Sequence, residues 1–216
     1  MRPLAEIRDR PGDDARAGTL RRGDLDAFGR VLDAIGGGSV LVTGVGDGRE
    51  EVSIGLAATA AARGVRTALV ECDLEDPRLA ARLGIAERPG LHEYLRRQAE
   101  APEILQPLAL AGPATQRATE PLVCVVAGER AANGAEPIAS DEYRHAAARL
   151  RDAYQLVVLL GPPLAEEAAA LPQAAAWADC VLACVGPSLA SGRAGRRVTR
   201  ALRALPAGRT EVIVCS

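Results

Sequence analysis

The sequence predicts an α/β fold in which a doubly wound, mostly parallel sheet is covered by helices on both faces. Short apolar runs alternate along the chain with segments of helical spacing. The apolar runs are continuous and do not alternate with polar residues, which is typical of strands buried on both sides. A chain of 216 residues can bury one substantial core. We therefore expect one domain over 24–216, preceded by a flexible arm over 1–23 that is rich in Arg, Asp, Pro and Gly.

The first predicted element is a helix that begins near Asp24. Its apolar side chains recur at helical spacing: Leu25, Phe28, Val31, Leu32 and Ile35. Six buried strands follow: SVLVT, VRTALVE, PLVCVVAG, QLVVLLG, DCVLACV and TEVIVC. Helical segments separate them: EEVSIGLAATAAARG, DPRLAARLG, GLHEYLRR, SDEYRHAAARLRDAY, LAEEAAALPQAAAWA and SGRAGRRVTRALRAL. Gly64 is expected to end the first of these helices, and Ser140 to cap the fourth.

Composition and charge exclude several classes of protein. The 26 basic residues are all arginine, so no mechanism that needs a lysine ammonium can operate within this chain. The formal net charge of -2 argues against nucleic-acid binding as the main function. Five cysteines without zinc-ligand spacing predict buried thiols rather than disulfides or a metal site: Cys72, Cys124, Cys180, Cys184 and Cys215. A charged N-terminus and the lack of a long apolar segment predict a cytoplasmic location.

A glycine-rich turn between the first strand and the next helix resembles a phosphate-binding loop. Gly44, Gly46 and Gly48 would let backbone amides face phosphate oxygens. Such a loop also needs a lysine, and Arg49 stands at that position. Its planar guanidinium keeps the charge but cannot act as a point charge among phosphate oxygens. The loop therefore has the backbone of a nucleotide site with altered side chains.

Two glutamates follow where the loop should supply a Ser or Thr hydroxyl. Glu50 and Glu51 place carboxylates near the expected positions of the γ-phosphate and magnesium. At about 4 Å, like charges repel by ~4 kcal/mol at an effective dielectric constant of 20. Without a bound anion, the same glutamates stabilise the helix N-terminus by ~0.3–1 kcal/mol. This substitution argues against binding of a nucleoside triphosphate.

A dinucleotide site is an alternative interpretation of the same loop. Glu71 ends the next strand, where an acidic residue could bind a ribose. The third glycine of the G-x-G-x-x-G pattern would, however, fall on Arg49, so the match is incomplete.

The segment ECDLEDP, from Glu71 to Pro77, resembles the bacterial tyrosine autokinases of capsule and exopolysaccharide assembly. These are relatives of the deviant Walker P-loop ATPases, and the resemblance covers roughly Asp24 to the C-terminus. DAFGRVLDAI resembles the first helix of that family, which mediates ring assembly. The middle segment and the proline pair after QLVVLLG also follow the family pattern. The resemblance implies a P-loop NTPase-like, three-layer fold.

This sequence departs from the family pattern at the positions of the family's catalytic and magnesium-binding residues. Leu160 stands where the family has its Walker B aspartate, and Arg49 replaces the lysine. Of the acidic elements, Asp73 is retained, with Glu71 two positions before it. The three tyrosines lie in or beside predicted helices and form no cluster: Tyr94, Tyr143 and Tyr154. Because magnesium and γ-phosphate stabilisation supply most of the catalysis of phosphoryl transfer, we expect a pseudokinase or pseudo-ATPase.

Structural roles are expected for most of these residues. We predict that Asp73 caps the helix that begins near Asp76-Pro77 or pairs with a nearby arginine. Glu71 is predicted to pair with Arg49, and Leu160 to fill the core. His92 and His145 are predicted to lie on helix surfaces. Five arginines on the last helix predict a solvated face, with docking of an acidic partner or of anionic lipid as the alternative: Arg193, Arg196, Arg197, Arg200 and Arg203.

The leading hypothesis is a non-catalytic scaffold or regulator of exopolysaccharide or capsule assembly. It needs no metal or cofactor. Its partners would be a membrane chain-length or export protein, or an active kinase homologue, which could bring it to the inner face of the membrane. The helix over 24–36 could mediate homo-oligomers. The alternatives are an active ATP- and magnesium-dependent tyrosine kinase or ATPase that uses Arg49, and an NAD(P)-binding protein.

Overall fold

The computed structural model describes residues 5–7, 22–108, 122–165 and 168–215, with side chains from residue 26 onward. Eight strands form one sheet: β1 (Ala5–Ile7), β2 (Gly38–Val45), β3 (Thr67–Glu71), β4 (Gln106–Leu108), β5 (Leu122–Val125), β6 (Leu156–Leu160), β7 (Cys180–Val185) and β8 (Arg209–Cys215). The described helices are α1 (Arg22–Ile35), α2 (Arg49–Ala62), α3 (Leu79–Leu83), α4 (Leu91–Leu95), α5 (Ala101–Ile104), α6 (Ala135–Ile138), α7 (Asp141–Ala153), α8 (Ala170–Ala175) and α9 (Gly192–Arg203).

The sheet has the strand order β1-β8-β7-β2-β6-β3-β5-β4. Every strand pair is parallel except β4 with β5. The central strands β2, β3, β6 and β7 therefore end at the same edge, where the loops that follow them meet. The predicted α/β fold with a mostly parallel sheet is confirmed.

Helices cover both faces of the sheet, as the continuous apolar strands predicted. Successive residues of β2 point to opposite sides: Val40 and Val42 join the core beneath α1 and α2, whereas Leu41 joins the core beneath α7, α8 and α9. Most apolar side chains of the central strands are thus removed from water, which stabilises the fold by roughly 25 cal/mol per Å² buried.

Strand β1 corrects part of the predicted flexible arm over 1–23. Residues Ala5–Ile7 pair in parallel with Ile213, Val214 and Cys215 of β8, and α1 already begins at Arg22. The edge of β8 offers unpaired backbone groups, and pairing satisfies them whatever the side chains are. The rest of the arm lies outside the described residues.

Helix α1 packs its apolar stripe against α2 of the same chain. Phe28, Val31 and Leu32 are buried, and a Cβ placed on Gly55 of α2 would lie 2.2 Å from the Phe28 ring. Only glycine permits this approach. The exposed face of α1 carries Asp26 and Arg30, so an oligomer formed through this helix would have to use polar side chains.

Within the described residues, four cysteines are buried and Cys215 is half-buried, all as free thiols. The same part of the chain contains no group of three or more His, Cys, Asp or Glu residues that could hold a metal ion. No helix among the described residues is long and apolar enough to cross a membrane.

Candidate functional site

The glycine loop joins β2 to α2 and has left-handed backbone at two of its glycines. The φ angles are 85° at Gly46 and 105° at Gly48, and Gly48 is the N-cap of α2. Such angles cost an L-residue roughly 1–2 kcal/mol, so glycine is the residue that fits there. Gly44 is needed for a different reason, because a Cβ on it would lie 2.4 Å from the carbonyl oxygen of Cys184 on β7. All three glycines are thus required by the backbone of the loop itself.

Arg49 turns its side chain inward, toward the ends of β3 and β6. Its Nη1 donates to the carbonyl oxygen of Gly161 at 2.7 Å and to Oδ2 of Asp73 at 3.1 Å. Its Nη2 lies 3.5 Å from Oε1 of Glu50. The residue is only 6% exposed. The guanidinium therefore stands between two carboxylates and a backbone carbonyl at the base of the loop.

The two glutamates of the loop have different surroundings. Glu50 is buried beside Arg49, whereas the Glu51 side chain is 33% exposed and forms an ion pair with Arg82 of α3. Glu50 belongs to the buried charge cluster with Arg49 and Asp73. Glu51 lies outside it and ties α2 to α3 at the surface.

Glu71 accepts three backbone hydrogen bonds and does not contact Arg49, so the predicted Glu71–Arg49 pair is wrong. Its Oε1 accepts from the amides of Arg78, at 2.6 Å, and Leu79, at 2.8 Å. Its Oε2 accepts from Ala127 N at 3.0 Å. The first-turn amides of α3 have no acceptor within the helix, and this carboxylate supplies one. Burial raises the pKa of Glu71, while the three amide hydrogen bonds act in the opposite direction.

Asp73 pairs with Arg49, as predicted, and also closes a turn. Oδ2 accepts a hydrogen bond from Arg49, and Oδ1 accepts one from Asp76 N at 3.2 Å in the turn that precedes α3. The carboxylate is buried and its two oxygens face these donors. The predicted arginine pair is confirmed, whereas the predicted helix cap is wrong, because α3 begins at Leu79 with Arg78 as its N-cap.

Leu160 ends β6 at 1% exposure and fills the core, as predicted. The segment that follows it covers the base of the glycine loop. Thr43 Oγ1 donates to the Pro162 carbonyl at 2.7 Å, and Leu164 N donates to the Gly44 carbonyl at 2.7 Å. The sequence did not predict these contacts or the hydrogen bond from Arg49 to the Gly161 carbonyl. A backbone acceptor cannot be recognised from any pattern of side chains.

His92 is buried, so its predicted surface position is wrong. Its Nδ1 lies 2.7 Å from the carbonyl oxygen of Glu129, and its amide donates to Ala127 O at 2.8 Å. Helix α4 is pressed against the loop after β5, and it is too short for periodicity to show which side faces solvent. His145 on α7 is exposed, as predicted.

The residues around Arg49 do not fit a magnesium-bound nucleotide. Magnesium requires oxygen ligands, usually carboxylates, waters and phosphates. Asp73 and Glu50 both face the guanidinium, and the side chain of Leu160 offers no oxygen. A second cation at this place would stand beside Arg49, and a triphosphate would face Glu50.

The sheet order and the glycine loop define an α/β protein of the P-loop NTPase fold. Known structures with a similar fold include bacterial tyrosine kinase domains. The chain is similar to the chimerical protein CapA2B2, with a TM-score of 0.80 and 16% identity over 99% of this chain and 93% of that one. It is similar to the kinase domain of Escherichia coli tyrosine kinase ETK, with a TM-score of 0.80 and 17% identity over 98% and 88% of the two chains.

The kinase domain of VpsO is a further similar structure, with a TM-score of 0.72 and 23% identity over 88% of this chain and 91% of that one. No family model matches the sequence, and no curated protein matches it. At such identities the likeness establishes the fold, which is the fold that the resemblance implied.

Proposed function

We propose that this protein is a catalytically degenerate relative of the bacterial tyrosine autokinases. It acts as a scaffold or regulator in exopolysaccharide or capsule assembly and does not bind Mg-ATP. The observation that carries this proposal is the side chain of Arg49, which pairs with Asp73 and Gly161 instead of leaving the loop open for phosphate. The structural likeness to tyrosine kinase domains supports the family part of the proposal.

The charges at the loop support a loss of triphosphate binding. To bind a γ-phosphate, Arg49 would have to leave Asp73 and Glu50, and both carboxylates would then repel the ligand. Removing the positive partner from a buried ion pair costs about 3–5 kcal/mol. The net change works against binding, because phosphate adds negative charge at the place where Arg49 pairs with Asp73 and Glu50.

The geometry of Glu71 disfavours the NAD(P) alternative. Both of its carboxylate oxygens already accept backbone hydrogen bonds, from Arg78, Leu79 and Ala127. A ribose hydroxyl could displace these only by leaving the amides of α3 unpaired, at about 1–3 kcal/mol each. No observation favours an active kinase over a catalytically degenerate protein.

The proposed partners are a membrane chain-length or export protein, or an active kinase homologue, which would hold this chain at the inner face of the membrane. Homo-oligomers through α1 would use its polar face, where Asp26 and Arg30 are exposed. Charge reversal of both residues should then lower the mass measured by light scattering, while reversal of Arg144 and Arg149 on α7 should not.

Nucleotide binding is tested by calorimetric titration with ADP and ATP, with and without magnesium. The native protein should give no binding heat, whereas the Arg49→Lys/Glu50→Ser/Glu51→Thr variant should bind. Circular dichroism and thermal unfolding establish that the variant is folded. Tight, magnesium-dependent binding of ATP by the native protein would overturn the proposal in favour of an active enzyme. Binding of NAD(P) without magnesium would indicate the dinucleotide alternative.

A further inference from the structure

Helix α9 presents a row of positive charge that the loop chemistry does not explain. Five of its 12 residues are arginines, and it contains no acidic residue. All five are exposed: Arg193, Arg196, Arg197, Arg200 and Arg203. With 3.6 residues per turn, these positions fall within about one third of the helix circumference and span roughly 15 Å along its axis. The sequence predicted a solvated face here, and the five exposed arginines do lie on one side of the helix.

The opposite side of α9 is fixed in the core. Val198 and Leu202 are buried against the sheet, and a Cβ on Gly195 would lie 3.0 Å from the carbonyl oxygen of Ala190. The apolar side of the helix therefore cannot turn outward and enter a bilayer. Any partner of this helix meets guanidinium groups, not an apolar face.

The arginine row has the features of an electrostatic surface and no large apolar side chain beside it. The half-buried positions that flank the row carry small side chains, namely Ala194, Thr199 and Ala201. Arginine is also enriched at protein interfaces, but these usually bury aromatic or large apolar anchors as well, and the exposed side of α9 has none. Guanidinium groups instead pair well with phosphate oxygens. A phosphate-rich planar surface matches such a row without any apolar contact.

A cavity at the N-terminal end of the row offers additional polar groups. Its volume is about 240 Å³, and Ser191, Arg196 and Thr199 line it together with Ala190 and two glycines. Arg196 thus belongs both to the row and to the wall of this cavity. The cavity can admit the phosphate of a headgroup while the other arginines rest on the surface around it.

We propose that the arginine face of α9 binds directly to the anionic lipid surface of a membrane. Binding is peripheral, because phosphate headgroups meet the guanidinium groups while the apolar side of the helix stays in the core. It does not depend on the glycine loop or on a protein partner. Near a surface of anionic lipid, each basic residue strengthens binding by about fivefold at low salt.

The test is co-sedimentation of the full chain with vesicles at 50 and 300 mM NaCl. One set contains phosphatidylcholine alone, and the other contains phosphatidylcholine with about one third phosphatidylglycerol. We expect binding to the anionic vesicles at 50 mM, release at 300 mM and no binding to the neutral vesicles. Arg196→Glu/Arg200→Glu should lower the partition coefficient at least 25-fold, while Arg196→Lys/Arg200→Lys should retain most of it.

The matched control reverses two exposed arginines on α7, Arg144→Glu/Arg149→Glu, which changes the net charge by the same amount. An equal loss in the control would overturn the proposal, since binding would then depend on net charge and not on α9. No binding of the native protein to anionic vesicles at 50 mM would also overturn it. Binding to a duplex DNA of 20 base pairs but not to vesicles would assign the face to nucleic acid instead.

Discussion

The glycine loop (residues 44–51) and the acidic segment (residues 71–79) meet at the same edge of the sheet but differ in what they retain. The loop has the backbone of a phosphate-binding loop, with positive φ at Gly46 and Gly48, but its polar side chains are those of a charge cluster. The acidic segment retains its carboxylates, Glu71 and Asp73, and both serve the protein's own groups. In the first region the glycines set the backbone shape, and in the second the carboxylates bind donors of the protein itself.

The comparison shows two different ways in which segments at this edge are held. Backbone shape at Gly44 is held by close contact with β7. The buried carboxylates are instead held by the donors nearest to them, because a buried acceptor without a partner is costly. In this chain, Arg49 is the nearest donor for Asp73.

The largest effect is expected from Arg49→Ala, which removes the group that joins the two regions. Asp73 and Glu50 would be left buried without their positive partner, so the free energy of unfolding should fall by about 3–5 kcal/mol. Chemical denaturation measures it. In a double-mutant cycle, Asp73→Ala should cost much less in the Arg49→Ala background than alone. Additive losses would mean that the two side chains do not interact.

Gly44→Ala tests the shape of the loop. The new Cβ would lie 2.4 Å from Cys184 O on a neighbouring strand, so the backbone must shift. We expect a loss of about 3 kcal/mol in the free energy of unfolding, at the top of the usual range for overpacking.

Gly46→Ala is the control for that loss, since no atom lies within 4 Å of its Cβ position and only the positive φ opposes it. It should cost about 1–2 kcal/mol. Equal losses for the two variants would show that the contact with β7 does not hold the loop.

Glu71→Gln tests whether the Glu71 carboxylate stabilises the fold through its hydrogen bonds to backbone amides. An amide nitrogen would face at least one of the three amide donors, so the free energy of unfolding should fall by about 2 kcal/mol at neutral pH. Urea denaturation measures this loss. An unchanged free energy of unfolding would mean that the three hydrogen bonds contribute nothing to stability.

The contribution of Glu71 to the free energy of unfolding should change with pH in a definite direction. Burial raises its pKa above the ordinary value of 4.5, so the folded protein binds this proton more tightly than the unfolded chain. The resulting stabilisation is fully present below pH 4.5 and is lost as the pH rises through the raised pKa. The advantage of the native protein over Glu71→Gln should therefore be larger at pH 4 than at pH 8. The opposite trend would mean that the amide hydrogen bonds outweigh burial.

The smallest effect is expected from Glu51→Ala, at the surface of the loop. Its ion pair with Arg82 is formed by side chains that are 33% and 53% exposed, and such pairs contribute about 0.5 kcal/mol. Thermal unfolding of Glu51→Ala and Arg82→Ala should show similar small losses, and high salt should abolish them. A loss as large as that of Arg49→Ala would place Glu51 in the buried cluster.

Most of the fold could be predicted from the sequence, since long apolar strands and helices carry their own periodic pattern. The strands β1 and β4 were missed, because each has three residues and is stabilised only by pairing with a neighbour. The predictions that Leu160 fills the core and that Asp73 pairs with an arginine are confirmed. Those for His92 and for the Glu71–Arg49 pair are wrong, because they concern contacts between segments far apart in the chain.

The sequence by itself determined which chemical groups are available. It has no lysine, no hydroxyl residue directly after Arg49 and no carboxylate at position 160, and folding cannot supply these groups. Only the tertiary structure decided how the remaining charges combine. Glu71 lies next to the free amides of α3 and Ala127, while Asp73 faces Arg49. The reason is that buried donors and acceptors pair with the nearest partner in space, and that partner depends on how distant segments pack.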